Sequence, residues 1–389
     1  MLLYFIPYIY IENRAKIYKK LLTRKFFVII YVFCIFAHCN NRSSVAWCAT
    51  PNVLSGRVVW KSKSMIFDVA RHKFSEGLLT LMLFALMAMI VALSAGDIVP
   101  VEGGAPLRGF VDMLSVNHPV ATALALLPLV VYSGLRFARA AVRVGVYSAS
   151  SLAPIALGGV TMFAALGSAN YLYIMVVAAL VSEVLGRLLY CFGANMRMSY
   201  LFTSMLSLGA MPLVDSALIP FVLVLAAIVI VVRGALREGI ITIAGVAVPT
   251  FVYCYTVWLL GGQFNIAFAD VWNADVSTVQ YAAVLSYLTV PRLVFIGVTL
   301  FLTICSVLVY YNTRVTLLDS ARTIWRLLIM LLLMLVAILL FMPSATPAVV
   351  VVLMLVMTLM LPQFFIRVDV YVATIAYLIW VVSAVATLF

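Results

Sequence analysis

The chain has 389 residues, of which 66% are apolar and only 10% charged, with a mean hydropathy of +1.20. A soluble domain of this length is about half apolar, so the composition excludes a soluble globular protein and places the chain in a bilayer. The net charge of +12 does not indicate nucleic acid: residues 1–64 hold six Lys and four Arg against Glu12, a net of +9, which leaves +3 for the rest, and no basic stripe is interleaved with aromatics.

The first segment stands apart. A charged stretch, "NRAKIYKKLLTRK", precedes the apolar "FFVIIYVFCIFAHC", in the order of a signal-peptide n-region and h-region. If residues 26–39 crossed outward, however, Arg57, Lys61, Lys63, Arg71 and Lys73 would lie outside and oppose the orientation of everything downstream. Residue usage also changes at Met65, from Lys, Ile, Tyr, Asn and Phe to Ala, Val, Leu and Arg, and no lysine follows Lys73. The expectation is that Met65 is the physiological start. Residues 1–64 are then upstream translation or a dispensable leader, and 65–389 form a single integral membrane domain. A genuine cleaved leader is the alternative.

From Met65 onward, eleven apolar runs approach the roughly 20 residues that cross a hydrocarbon core of about 30 Å. They are 77–95, 119–135, 145–166, 171–188, 199–212, 217–232, 239–260, 290–311, 326–342, 348–366 and 370–388. Arginine placement agrees with this division, since cytoplasmic loops collect Lys and Arg. Loops on one side carry Arg71 and Lys73, then Arg136, Arg139 and Arg143, then Arg187 and Arg197, Arg233 and Arg237, Arg314, Arg322 and Arg326, and Arg367; the opposite loops carry Arg108 and Arg292. The expected fold is therefore all-α: a polytopic transmembrane helical bundle of about 11 spans in the inner membrane, with a cytoplasmic N-terminus to the body and an outside C-terminus. Tyr171, Tyr173, Tyr310, Tyr311, Trp258 and Trp325 fall where aromatic rings anchor spans at the headgroup level.

The polar residues that lipid does not explain are few. The outward loops collect Asp97, Glu102, Asp112, Asp215, Asp270 and Asp275. Asp97 follows the first span directly, in "LSAGDIVPVEGGAPLRGF", where an acid at the mouth of a membrane cavity resembles that of glycosyltransferases using polyprenyl-phosphate sugars. Such a carboxylate deprotonates a hydroxyl acceptor or holds a divalent ion, while Arg108 and Arg292 are placed to clamp a phosphate. An ordinary exposed turn reads the same way. Segment 107–115 suits an interfacial helix with Leu107, Phe110, Val111 and Leu114 facing lipid. Trp272 is placed either to stack on a sugar or to anchor the interface.

Glu183 and Arg187, four apart in the fourth run, lie on one helix face as an ion pair or a proton relay. Pro128, Pro154, Pro220 and Pro249 fall within spans, and "SSLAPIALGGV" is the expected broken helix, the kind of place where transporters put their sites. Cys191, Cys254 and Cys305 stand singly, so no metal or disulfide framework is indicated, and no cofactor is called for.

The string from Leu185 to Phe264, above all "RGALREGIITIAGVAVPTFVY", resembles an uncharacterised polytopic inner-membrane family of Bacteroidetes. Arg233, Arg237, Glu238, Pro249 and Tyr253 take the positions of its basic Arg-Glu loop and Pro-broken helix. The closing "DVYVATIAYLIWVVSAVATLF" is similar to the family's last span. The resemblance extends over residues 65–389 and implies no established activity. Some members are labelled carotene oxygenases, but iron chemistry of that kind needs clustered histidines, and the body has only His72 and His118. The functional expectation is a role in envelope glycan or lipid-linked sugar metabolism, with membrane lipids and a polyprenyl-phosphate-linked substrate as partners and no nucleic acid. A transporter or a non-catalytic membrane scaffold is the alternative.

Overall fold

In the computed structural model the residues described are 74–94, 105–147, 153–166, 171–192, 198–272, 284–342 and 346–387, all within the unit Phe67–Phe389. The leader, Asp97, Glu102 and Asp275 lie outside them. Long apolar runs cannot leave backbone groups unpaired in lipid, so they close their hydrogen bonds within helices. The order is α1 (Phe74–Ser94), α2 (Pro106–Asn117), α3 (Pro119–Val144), α4 (Ala153–Ala165), α5 (Tyr171–Phe192), α6 (Met198–Gly209), α7 (Met211–Val214), a 3-10 turn (Ser216–Leu218) and α8 (Ile219–Arg233). It continues with α9 (Leu236–Leu259), α10 (Phe264–Trp272), α11 (Val290–Thr313), α12 (Asp319–Phe341), α13 (Pro347–Met360), α14 (Pro362–Arg367) and α15 (Val370–Ala386). Among the described residues there is no strand.

The eleven apolar runs fall on α1, α3, α4, α5, α6, α8, α9, α11, α12, α13 and α15. Among the described residues, eight helical stretches are long and apolar enough to cross a membrane, α8 counting with its 3-10 turn and α13 with α14; Ala153–Ala165, Met198–Val214 and Val370–Ala386 are shorter. The chain is thus a multi-pass helical membrane protein. Its outer surface agrees: Ile240, Ile243 and Phe251 of α9, Phe301, Ile304 and Leu308 of α11, and Ile375, Leu378 and Val382 of α15 are all exposed. Apolar area on that scale has no place in water.

Three helices make the core. Every residue of α4 and of α13 is buried, and α5 is mostly enclosed. At about 1.5 Å per residue α4 is only about 20 Å long, short for a crossing but sufficient for a helix wrapped by protein. Helix α13 lies against α4, α5, α11 and α12. It stops where Pro362 lacks the N–H that would continue it, and the carbonyls freed there find side-chain donors. Tyr147 Oη donates to Leu359 O at 2.7 Å, and Ser306 Oγ donates to Met360 O.

Elsewhere small residues set the packing. A Cβ added at Gly209 of α6 would lie 2.2 Å from the Val246 carbonyl oxygen of α9, and one at Gly245 would lie 2.6 Å from Met205 Cβ. The α6–α9 contact is therefore nearly backbone on backbone.

Two expectations are corrected. Pro154 does not break a helix; it lies in the first turn of α4, where a missing N–H costs nothing. The interrupted segment is α13–α14 instead, while Pro128 and Pro249 lie inside α3 and α9. Second, Tyr173, Tyr310 and Trp325 do not face headgroups but are buried in protein. Trp325 stacks on Tyr310 at 4.8 Å, and its Nε1 donates to Val146 O at 3.0 Å. Trp258 and Tyr311 are exposed.

Candidate functional site

Charged side chains gather at two opposite ends of the bundle. At the arginine-rich end, α3 supplies Tyr132 and Arg136 and α5 supplies Glu183 and Arg187, each pair four residues apart and so on one helix face. The Glu183 carboxylate is the hub. Tyr132 Oη donates to its Oε2, Arg136 Nη2 donates to Oε1 at 3.2 Å, and Arg187 Nε pairs with Oε1. Arg136 Nε also approaches Oε2 at 2.7 Å, though out of line for a hydrogen bond. Both arginine side chains keep about a quarter of their surface exposed, 25% and 29%.

Beside this hub, Arg233 closes the end of α5. Its Nη2 donates to Cys191 O, its guanidinium lies 4.7 Å over the Phe192 ring, and its Nε is 3.6 Å from Glu238 Oε2. Gly234, at φ 65°, makes the left-handed cap that turns α8 into α9.

The opposite end is built differently. Helix α2 turns its apolar residues outward, with Leu107, Phe110, Met113 and Val116 exposed, and buries Arg108, Asp112 and Ser115. It is an inside-out amphipathic helix, as suits one lying against lipid. Arg108, 6% exposed, lies with its guanidinium 4.6 Å over the Tyr173 ring of α5. Its Nε is 3.8 Å from Asp112 Oδ2, beyond hydrogen-bond reach. Burial pushes the Asp112 carboxyl above its ordinary range, against the pull of Arg108.

Asp215 sits at the corner between α7 and the 3-10 turn. Its Oδ1 accepts from Ala217 N at 3.1 Å and its Oδ2 from Thr346 Oγ1 at 2.7 Å, so it caps the turn and ties it to the start of α13. The buried Tyr173 hydroxyl lies within electrostatic reach of Asp215, Arg108, Tyr287 and Asp112. Tyr287 Oη donates to Ala165 O at the end of α4, 2.9 Å away. Arg292 lies 4.4 Å over the Tyr287 ring and donates from Nη1 to Tyr287 O at 2.6 Å; it is 4% exposed.

Where Arg108 meets Tyr173, Tyr173 Oη and Arg108 Nε find no hydrogen-bond partner among the described residues. A buried polar atom left unpaired costs about 1–3 kcal/mol, so a pair of them in one cluster is a place where a polar ligand gains. Both face the same field of charges and both are donors, the chemistry of an anion site.

Of the residues singled out from sequence, Glu183 and Arg187 are brought together. Arg108 and Arg292 reach the same outer cluster through Tyr173 and Tyr287. Asp97 lies outside the described residues. Trp272 ends α10, which packs on α7; the indole stacks on Phe268 at 6.2 Å, and its Nε1 is buried without a partner. Among the described residues nothing joins it to Arg108 or Arg292, and no group of three His, Cys, Asp or Glu converges to hold a metal. Sequence reasoning missed Tyr132 and Arg136 as partners of Glu183, and Tyr173, Tyr287 and Thr346 as the frame of the outer cluster. The i, i+4 spacing of Tyr132 and Arg136 was the one signal available for the first pair.

Helix content and apolarity thus define a multi-pass membrane protein, with a paired hub at its arginine-rich end and, among the described residues, an under-satisfied cluster at the opposite end. No known protein family, curated protein or solved structure matches the chain.

Proposed function

We propose that this is a multi-pass inner-membrane protein, its arginine-rich end cytoplasmic and its C-terminus outside, that handles a polyprenyl-phosphate-linked sugar at the outer leaflet in the manner of a lipid-linked glycan transferase. The orientation rests on the confinement of arginine to one set of loops. The observation that carries the substrate class is this cluster: Arg108 buried on Tyr173 behind the exposed apolar face of α2, Arg292 buried on Tyr287, and Tyr173 Oη and Arg108 Nε without partners among the described residues. A phosphate on a lipid tail supplies acceptors there and an apolar chain along α2. Asp97, which precedes α2 in sequence, is the acid assigned to deprotonate the acceptor hydroxyl or to hold a divalent ion. The resemblance to the Bacteroidetes membrane family is compatible with an envelope role.

Transport through Glu183 has less support, because three donors already occupy that carboxylate. The test is to delete the gene and profile envelope glycans and lipid-linked intermediates, then complement with wild type, Asp97→Asn, Arg108→Met and Arg292→Met. The expected result is accumulation of a polyprenyl-phosphate sugar that wild type clears and the three variants do not. Unchanged glycans and intermediates overturn the transferase reading and leave a scaffold.

A further inference from the structure

Arg108 pairs with Asp112 on its own helix and lies over the Tyr173 ring. An anion that binds Arg108 sets a second negative charge beside the Asp112 carboxylate, so something must compensate. Asp215 is held by Ala217 N and the Thr346 hydroxyl. Among the described residues Asp112 is held by Arg108 alone, across 3.8 Å, although it is 6% exposed. Burial already favours its neutral form. Among the described residues, the ionisable groups in electrostatic reach of Asp112 are Arg108 on its own helix and Tyr173 on α5; His118, at the junction with α3, is exposed.

Resting on the phosphate reading above, we propose that Asp112 gates Arg108: ionised, it keeps the guanidinium; protonated, it lets Arg108 and Tyr173 Oη donate to the phosphate of the ligand, so that each anion bound brings one proton with it. The Asp112 carboxylate takes one proton from solvent and becomes a carboxylic acid, no bond of the ligand changes, and the cluster gains one negative charge fewer than the anion carries. Ligand release at the outer leaflet is then favoured by alkaline pH and entry by acid pH.

The full chain in nanodiscs is titrated calorimetrically with sulfate, a phosphate-shaped anion that carries no proton between pH 5 and 9, and with farnesyl phosphate, a short polyprenyl phosphate. Each is run in two buffers of different ionisation enthalpy. The expected result is uptake of about one proton per sulfate and a fall in sulfate affinity of about tenfold per pH unit at alkaline pH. Asp112→Asn should bind sulfate at least as tightly, with no proton uptake and a flat pH profile, and Tyr173→Phe should bind several-fold more weakly with the uptake intact. Binding by wild type without proton uptake, or uptake that persists in Asp112→Asn, overturns the gate. Sulfate bound with a proton but farnesyl phosphate not bound keeps the gate and removes the lipid-linked reading. Farnesyl phosphate bound with no change in proton uptake between wild type and Asp112→Asn does the reverse. Failure of both to bind removes both.

Discussion

Each end of the bundle carries an acid and an arginine four residues apart, built in opposite order. On α5 the acid comes first, Glu183 then Arg187; on α2 the arginine comes first, Arg108 then Asp112. The first order is the better one on a helix, because the acid lies towards the positive end of the helix dipole and the side chains lean together. In the α5 pair a second arginine and a phenol are added from α3, and the carboxylate is fully engaged. In the α2 pair α5 adds only a ring beneath the guanidinium, no further donor reaches the carboxylate among the described residues, and the paired atoms stay 3.8 Å apart. What separates a locked ion pair from a receptive one is thus the count of donors that a neighbouring helix brings, more than the pair itself.

That contrast can be broken most forcefully at the hub. Glu183→Leu leaves Arg136 and Arg187 without their counter-charge, and stability should fall by about 3 kcal/mol, the low end for breaking a buried pair because both arginines are partly exposed. Thermal unfolding in detergent measures it, and sulfate binding at the other end should be unaffected.

The two tyrosines sharpen the comparison. Tyr132→Phe removes a hydrogen bond to a carboxylate and should cost about 1.5 kcal/mol. Tyr173→Phe removes a hydroxyl that bonds to nothing, so stability should hold or rise by up to about 1 kcal/mol. An equal loss in both, in matched melts, would mean that the outer cluster is as satisfied as the hub.

The smallest effect is in pH. Asp112 has its folded-state pKa raised above the ordinary 3.8 by burial, so the unfolded chain loses its proton first. The stability this group contributes is present at low pH and is lost as pH rises above 3.8 towards the folded value. Asp112→Asn should flatten that part of the melting-temperature profile, and Asp319→Asn, a swap at an exposed acid, should not.

Much of the frame was readable from sequence because lipid enforces it: long apolar runs close their hydrogen bonds within helices. The paired face of Glu183 and Arg187 was readable too, since spacing fixes it. What was not readable depends on neighbours distant in the chain. Nothing local says that Arg136, 47 positions before Glu183, would share its carboxylate, or that Arg108, on a segment expected to be an interfacial helix, would turn inward onto Tyr173. Interruption sites were misread for the same reason. Pro154 and Pro362 are both prolines in apolar runs, but whether one starts a helix or splits it depends on which donors, such as Tyr147 and Ser306, stand ready nearby.

Helix α13 also bears on how the chain is made. Each of the four helices that wall it in, α4, α5, α11 and α12, is synthesised earlier. During biosynthesis the Tyr147 and Ser306 hydroxyls are therefore made before the Leu359 and Met360 carbonyls that accept from them.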